Sequence, residues 1–408
     1  MYKRLFALLS VLLICGALAA TQAPAAVRAA DPTETPQAAA TEAAATPAPT
    51  PSGEPIKIGL QGPMTGDYAY EGQGFKKVVD LLVKQTNASG GILGRPVELV
   101  VEDDKGTAQD ASLVADRLVS AGVVAVIGGY NSTATAASSA IYDEAGLLNI
   151  TPSSTATELT TKGYQRFFRV CFLDDRQALF AVNFMKDQLK AKNIGVLHDN
   201  STYAKGLADW TKTYAEQAGL NVAFFDAINP NDKDFTPTLT KIKGAGLDVI
   251  YFTGYHAQGG LLLKQSKDVG LTTQWMMGNA SNNPELISIA GVDAAKGTII
   301  TTEPLPSDLP YPEAKQFIAD FHAAYGEDPA SVWWVMAADA YNVIKYAIEQ
   351  TKSTDSAVLA DYLHKQFKDY PGITGPILGF DEKGDRLGTI HKAYVITADG
   401  KIVPYTSQ

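Results

Sequence analysis

The 408-residue chain is long enough for two domains, and 46% hydrophobic with 19% charged residues is the composition of a globular protein with ample core. A formal charge of −10 argues against nucleic acid and anionic membrane surfaces as partners. The chain opens with Lys3 and Arg4 before an apolar run over residues 5–14, too short to cross a bilayer. Residues 1–30 therefore read as a secretory signal peptide, with Ala-x-Ala cleavage points after Ala19 and Ala25 and a looser one after Ala29. A lipid anchor on Cys15 would want a small residue before it, where Ile14 stands; simple export is favoured, with a lipoprotein as the alternative. Residues 31–55 are almost only Ala, Thr, Pro and Glu, a linker that cannot build a core. The only other cysteine, Cys171, has no partner for an internal disulfide and is expected to be a small core residue.

The folded body begins with an apolar strand over 56–62, ending in Gly62-Pro63. A helix follows from about Glu71, with Phe75, Val78, Val79 and Leu82 on one face, and Gly90-Gly91 stops it. A second strand is expected over 96–101. Alternation of strand and helix then continues to about residue 302, which predicts a mostly parallel, doubly wound α/β architecture. Residues 124–160 are its organising stretch. The apolar run 124–127 ends in Gly128-Gly129, with Ser132, Thr133 and Thr135 where a helix should start. A second strand over 147–151 breaks at Pro152, and Ser153, Ser154 and Thr155 follow. Thr155-Ala156-Thr157-Glu158 fits a capping box. Two adjacent helix N-termini carrying hydroxyls at one sheet edge suit a small anion such as a carboxylate. Plain helix capping is the simpler role for any one such turn.

The order of elements over 97–130 returns over 221–255: strand, acidic turn, helix, glycine, strand, Gly-Tyr. If the body is two similar lobes, Gly129-Tyr130 and Gly254-Tyr255 occupy equivalent strand ends and face one cleft, where small ligands usually bind. After residue 302 the pattern changes to helices at about 312–325, 330–350 and 357–367, with late strands at 375–380 and 393–397. These last elements are expected to return to both lobes through several crossovers and a hinge.

Taken together, the phrases IKIGLQGPMTG (56–66), ITPSSTATELTTKGYQ (150–165), VLHDNSTYAKGLA (196–208), YHAQGGLLLKQSKDVGL (255–271) and GPILGFDEKGD (375–385) resemble the periplasmic branched-chain amino acid binding proteins. These are the substrate-binding subunits of ABC importers. The resemblance implies two Rossmann-like lobes joined by a three-strand hinge, closing around ligand. It implies an N-lobe of about 56–174 plus 303–390 and a C-lobe of 175–302 plus 391–408. It further implies that Ser132, Ser153 and Thr155, with Ser154 beside them, hold the ligand carboxylate, and that Tyr203 and Tyr255 close over it from the opposite lobe. Asp174 matches a hinge-region acid. Two positions depart from the family pattern. The acid that meets the ligand ammonium falls, by direct count from Tyr255, on Asn279. A family aromatic in the first loop falls on Glu71, or on Tyr68 or Tyr70 if the loop shifts. Glu71 is then either a replacement carboxylate or a first-turn helix residue that favours the dipole. Without an acid in the pocket, a keto or aromatic acid, an amide or urea replaces the amino acid as ligand.

The implied partners are a small-molecule ligand and a membrane permease, with a monomeric protein and no cofactor. Catalysis finds little support: His198, His256, His322, His364 and His391 are scattered without metal-ligand spacing, and no nucleophile motif accompanies them. No G-x-G-x-x-G follows the first strand, so a dinucleotide site is not expected. A ligand sensor is the remaining alternative, in a fold that also serves receptors.

Overall fold

Two largely parallel sheets carry residues 50–406, the part that the computed structural model describes. The expected signal peptide, Cys15 and most of the linker lie outside the described residues. The first sheet contains β1 (Ile56–Gly62), β2 (Val97–Asp103), β3 (Ala125–Ile127), β4 (Leu148–Thr151) and β5 (Phe167–Arg169), in the order β2-β1-β3-β4-β5. Alternating with these strands are α1 (Ala69–Ala88), α2 (Ala108–Ser120) and α3 (Ser132–Glu144). The second sheet contains β6 (Asn193–His198), β7 (Asn221–Ala227), β8 (Val249–Phe252), β9 (Gln274–Met277) and β10 (Ile299–Thr302). It ends in β11 (Lys392–Ile396) and β12 (Ile402–Pro404), in the order β7-β6-β8-β9-β10-β11-β12. Its helices are α4 (Asp174–Asp187), α5 (Thr202–Gln217), α6 (Thr236–Gly244), α7 (His256–Asp268), α8 (Pro284–Ala290) and α9 (Val292–Ala295). The remaining helices are α10 (Pro312–Tyr325), α11 (Val332–Thr351) and α12 (Ser356–Lys365).

The strand order explains the sequence echo. In both sheets the first strand in the chain sits between the second and third, so β2-α2-β3 and β7-α6-β8 are equivalent. β3, β4, β8 and β10 are buried along their whole length, and β3 and β8 accordingly read as unbroken apolar runs rather than alternating ones. Among the described strands, only β11 and β12 are added antiparallel to their neighbours.

The chain passes between the sheets three times: after Arg169, after Thr302 and before Lys392. α11, buried on nearly all sides in its first half, packs on α1 and reaches β3 and β4 of the first sheet. Its approach to α1 depends on Gly74, where a β-carbon would fall 1.8 Å from the Trp334 ring. Cys171 is a buried core residue at the first crossing, and burial pushes its thiol pKa up.

Three local expectations are corrected. Residues 375–380 form no strand; Gly375 and Gly379 take φ of 106° and 138°, and the stretch makes only single bridges, Tyr370 with Ile377 and Phe380 with Arg386. The edge strand β12 lay beyond any expected element. The stretch after Pro152 holds no capping box: a 3-10 turn spans Thr157–Thr161 without a side-chain cap. Its backbone is claimed by the buried Arg169, whose Nη1 donates to the carbonyls of Ser154 at 2.8 Å and Ala156 at 3.1 Å. Among the described residues no helix is long and apolar enough to cross a membrane.

Candidate ligand-binding site

The carboxyl ends of β3 and β4 lie side by side, and the two turns that leave them are bonded to one another. Thr151 Oγ1 donates to Gly129 O at 2.9 Å, and Ser153 Oγ donates to Tyr130 O at 2.8 Å. Capping is done elsewhere: Asn131, not Ser132, caps α3, its Oδ1 accepting from Ala134 N at 2.8 Å. That leaves the Ser132 hydroxyl turned toward the second turn, where it accepts from Ala156 N at 3.3 Å. Ser132, Ser153 and Thr155 are nonetheless all buried.

The second sheet presents the opposing wall. Ser201 caps α5 through Ala204 N at 3.2 Å, and Tyr203 in the first turn is buried with its hydroxyl donating to Asn279 Oδ1 at 2.8 Å. Tyr255 follows β8 and packs edge-on to Tyr203, with ring centroids 5.4 Å apart. Tyr130 and Tyr255, the residues singled out by the repeated strand–helix order, meet across the gap at 6.3 Å. Tyr68 from the first loop packs against Tyr255 with tilted rings, their centroids 4.9 Å apart.

Between these walls lies a cavity of about 10 Å³. Ser132, Ser153 and Thr155 line it on one side, and Tyr203, Tyr255 and Asn279 on the other. Six expected site residues are therefore brought together. Tyr130, Ala280 and Trp333 complete the lining. Such a space holds no more than a water molecule, so an organic ligand enters only when the walls separate.

Two expected residues stand outside it. Ser154 is buried with its hydroxyl 2.6 Å from Thr135 Oγ1 and 3.2 Å from Gly129 O, so its hydrogen-bonding capacity is spent on holding the turns together. Glu71 is in the first turn of α1 and accepts from Asn283 Nδ2 at 3.2 Å, a bond from the first-sheet side to the second-sheet side. Burial pushes the Glu71 carboxyl up to about 7 from an ordinary 4.5, against the hydrogen bonds that lower it. The folded state thus holds its proton more tightly than the unfolded chain. The resulting stability is present below about pH 4.5 and is lost as pH rises through about 7. Glu71→Gln is expected to match the wild type near pH 4 and to exceed its stability by roughly 1–3 kcal/mol near pH 8. Thermal melts across that range check this; equal curves for both proteins would contradict it.

One acid that belongs to no recognisable motif lies behind Asn279. Glu303, fully buried just after β10, faces Asn279 Nδ2 with its two carboxylate oxygens at 3.4 and 3.5 Å. Asp174 is also fully buried, and both its oxygens lack a hydrogen-bond partner. His256 pairs with Glu285 at 3.1 Å, and His198 accepts from Asn200 N at 3.2 Å. No cluster of three or more metal-ligating side chains forms among the described residues.

Comparison with known proteins places this geometry. The periplasmic binding protein family matches residues 55–401. The leucine-, isoleucine-, valine-, threonine- and alanine-binding protein of Pseudomonas aeruginosa is 38% identical over 330 residues, 81% of this chain and 87% of the relative. The Leu/Ile/Val-binding protein of Escherichia coli is 35% identical over 337 residues, 82% of this chain and 89% of the relative. Among solved structures, a leucine-binding protein of Thermotoga maritima superposes with a TM-score of 0.80 at 29% identity, covering 86% of this chain and 98% of that one. A branched-chain amino acid transporter substrate-binding protein of Streptococcus pneumoniae, in complex with isoleucine, gives 0.77 at 30% identity over the same shares. These relatives are substrate-binding transport proteins, not enzymes. With its two α/β lobes, the chain belongs to the periplasmic binding protein family.

Proposed function

We propose that the protein is exported and serves as the substrate-binding component of an ABC importer, taking a branched-chain amino acid into the cavity between its two sheets. The observation that carries this reading is the pairing of Ser132, Ser153 and Thr155 on one wall with Tyr203 and Tyr255 on the other. Hydroxyls and backbone N–H groups at two adjacent turns suit a carboxylate, and the aromatic rings suit an aliphatic body. The names of the Pseudomonas and Escherichia relatives point the same way.

The mechanism follows from the two-walled site. An open form captures ligand; a ligand touching both walls binds the closed form better and so shifts the population toward it. The closed monomer then docks on a membrane permease. The lobes correspond to 56–174 plus 303–390 and 175–302 plus 391–408, joined by the three crossings as a hinge. Cleavage of the signal within residues 1–30 releases the protein, with Cys15 anchoring as the alternative.

Calorimetric titration of protein stripped of ligand by unfolding and refolding tests the reading. Leucine, isoleucine or valine should bind at micromolar Kd or tighter. Ser132→Ala and Thr155→Ala should each weaken binding by roughly 1–3 kcal/mol through unpaired carboxylate contacts. Unchanged affinity in both variants would remove the site from this cavity. Asn279, where the family pattern has an acid, favours a second reading in which the ligand lacks an amine. Binding of leucine's deaminated keto acid or a simple amide, with no amino acid bound, would select it.

A further inference from the structure

Asn279 faces the cavity, and its amide is held from both ends. Oδ1 receives the Tyr203 hydroxyl at 2.8 Å, and Nδ2 points to the two oxygens of Glu303 at 3.4 and 3.5 Å. This fixes which end of the amide is oxygen, and an amide oxygen keeps a second lone pair after accepting one bond. A donor entering the cavity beside Asn279 would complete a chain running from donor to amide to carboxylate. Each link in such a chain polarises the next, so the carboxylate strengthens the bond made to the amide oxygen.

We propose that Glu303 supplies the counter-charge for the ammonium of the bound amino acid, acting as a positioning residue through Asn279; this rests on the proposed function, in which the ligand carries an ammonium.

The surroundings of Glu303 favour that role. It is fully buried, and its other hydrogen-bond donor is the Thr302 hydroxyl at 3.3 Å. The charged and titratable groups around it are His391, Arg386, Asp174, Cys171, Tyr203 and Tyr251. His391, 3.6 Å away, is neutral at physiological pH because burial pushes its pKa down to about 3. Arg386 spends its guanidinium on Val170 O at 2.9 Å, Thr374 Oγ1 at 2.8 Å and Gly375 O at 3.0 Å. Asp174, also fully buried, repels a charge on Glu303 when it is itself ionised, while Cys171, Tyr203 and Tyr251 are uncharged near neutral pH and supply no counter-charge. Arg386 lowers the Glu303 pKa through its charge but makes no hydrogen bond to it, and a buried carboxylate without a directly paired cation is held back from ionising. Burial accordingly lifts Glu303 to about 7. A cationic group arriving at Asn279 provides the missing partner, and Glu303 releases its proton in response. Binding should therefore strengthen as pH rises through about 7.

The test is calorimetry of wild type and Glu303→Gln with leucine and with its keto acid, near pH 7, in buffers of different ionisation enthalpy. Wild type should release a fraction of a proton on binding leucine and none on binding the keto acid. Its leucine Kd should fall between pH 6 and pH 8, a readout that needs no variant. Glu303→Gln should bind leucine on the order of 10- to 100-fold more weakly, with no proton release, while its affinity for the keto acid stays at the wild-type value. Asp174 and Glu71 have equally raised values, so proton release that persists in Glu303→Gln would assign the proton elsewhere and overturn the proposal. Equal weakening for leucine and keto acid would reduce Glu303 to a structural role and overturn it too. Wild type that binds the keto acid but no amino acid would overturn the proposed function together with this proposal.

Discussion

Replacing Asp385 with Ala should cost about 3–5 kcal/mol of folding stability, because it strands a buried guanidinium. Arg169 is fully buried, and its Nε lies 2.5 Å from Asp385 Oδ1. Three of the other four N–H donors of Arg169 are engaged, with Ser154 O, Ala156 O and, at 3.0 Å, Thr160 Oγ1. Thr160 in turn donates to Asp385 Oδ2 at 2.9 Å, which closes a ring of three side chains, Arg169, Asp385 and Thr160, at the 3-10 turn. No spare acceptor stands ready to replace the lost carboxylate. The same guanidinium holds the carbonyls on either side of Thr155, so the ligand site should loosen along with the fold. Denaturant unfolding should show the loss in midpoint. Titration of the folded variant should show weaker binding than Thr155→Ala alone produces. Asp385→Asn, which keeps an acceptor but not the charge, should lie between the two. A stability loss under about 1 kcal/mol for Asp385→Ala would mean that Arg169 reaches solvent or another partner, contrary to its burial.

The architecture was legible because its signals are local and repeated. Apolar runs such as 124–127 and 249–252, each followed by a Gly-Tyr pair, mark strands buried on both faces, and the echo between them brought Tyr130 and Tyr255 into one cleft. The hydroxyl-rich turns were legible for the same reason, since one short window contains both. Their division of labour was not. Ser132, Thr133 and Thr135 were the residues expected at the helix start and Asn131 was passed over; only the packing shows that Asn131 caps while Ser154 braces. Thr155 escaped helix capping because Arg169, fourteen residues on, claims the carbonyls on either side of it. Trp333, which lines the cavity, and Glu303, which lies behind Asn279, were missed because they come from segments far along the chain, with no motif around them. The mistaken strand at 375–380 has the apolar content of a strand, but its two glycines at positive φ turn the backbone away from any ladder.

Gly128→Ala carries the other large expected effect, roughly 2–6 kcal/mol, the sum of a conformational and a packing cost of about 1–3 kcal/mol each. Gly128 has φ of 144°, a region that L side chains rarely adopt, and a β-carbon there would fall 2.3 Å from Gln61 O and 2.8 Å from Gln61 Cβ. Gln61 cannot yield. Its backbone is paired with β2 near the end of β1, its Nε2 donates to Asp104 Oδ2 at 2.9 Å, and its Oε1 accepts from Tyr142 at 2.9 Å. The turn would have to move instead, breaking the bonds from Asn149 Nδ2 to Gly128 O at 2.7 Å and from Thr151 Oγ1 to Gly129 O at 2.9 Å. Tyr130, Ser132 and Ser153 hang on that turn, so binding should weaken in whatever fraction folds. Gly122→Ala is the informative comparison: it has φ of 70° and nothing within 4 Å of the added carbon. It should cost only about 1–2 kcal/mol, the left-handed penalty alone, and should leave binding intact. Similar losses of stability and affinity for the two variants would show that backbone conformation, and not the press of the turn against Gln61, fixes the geometry of the site.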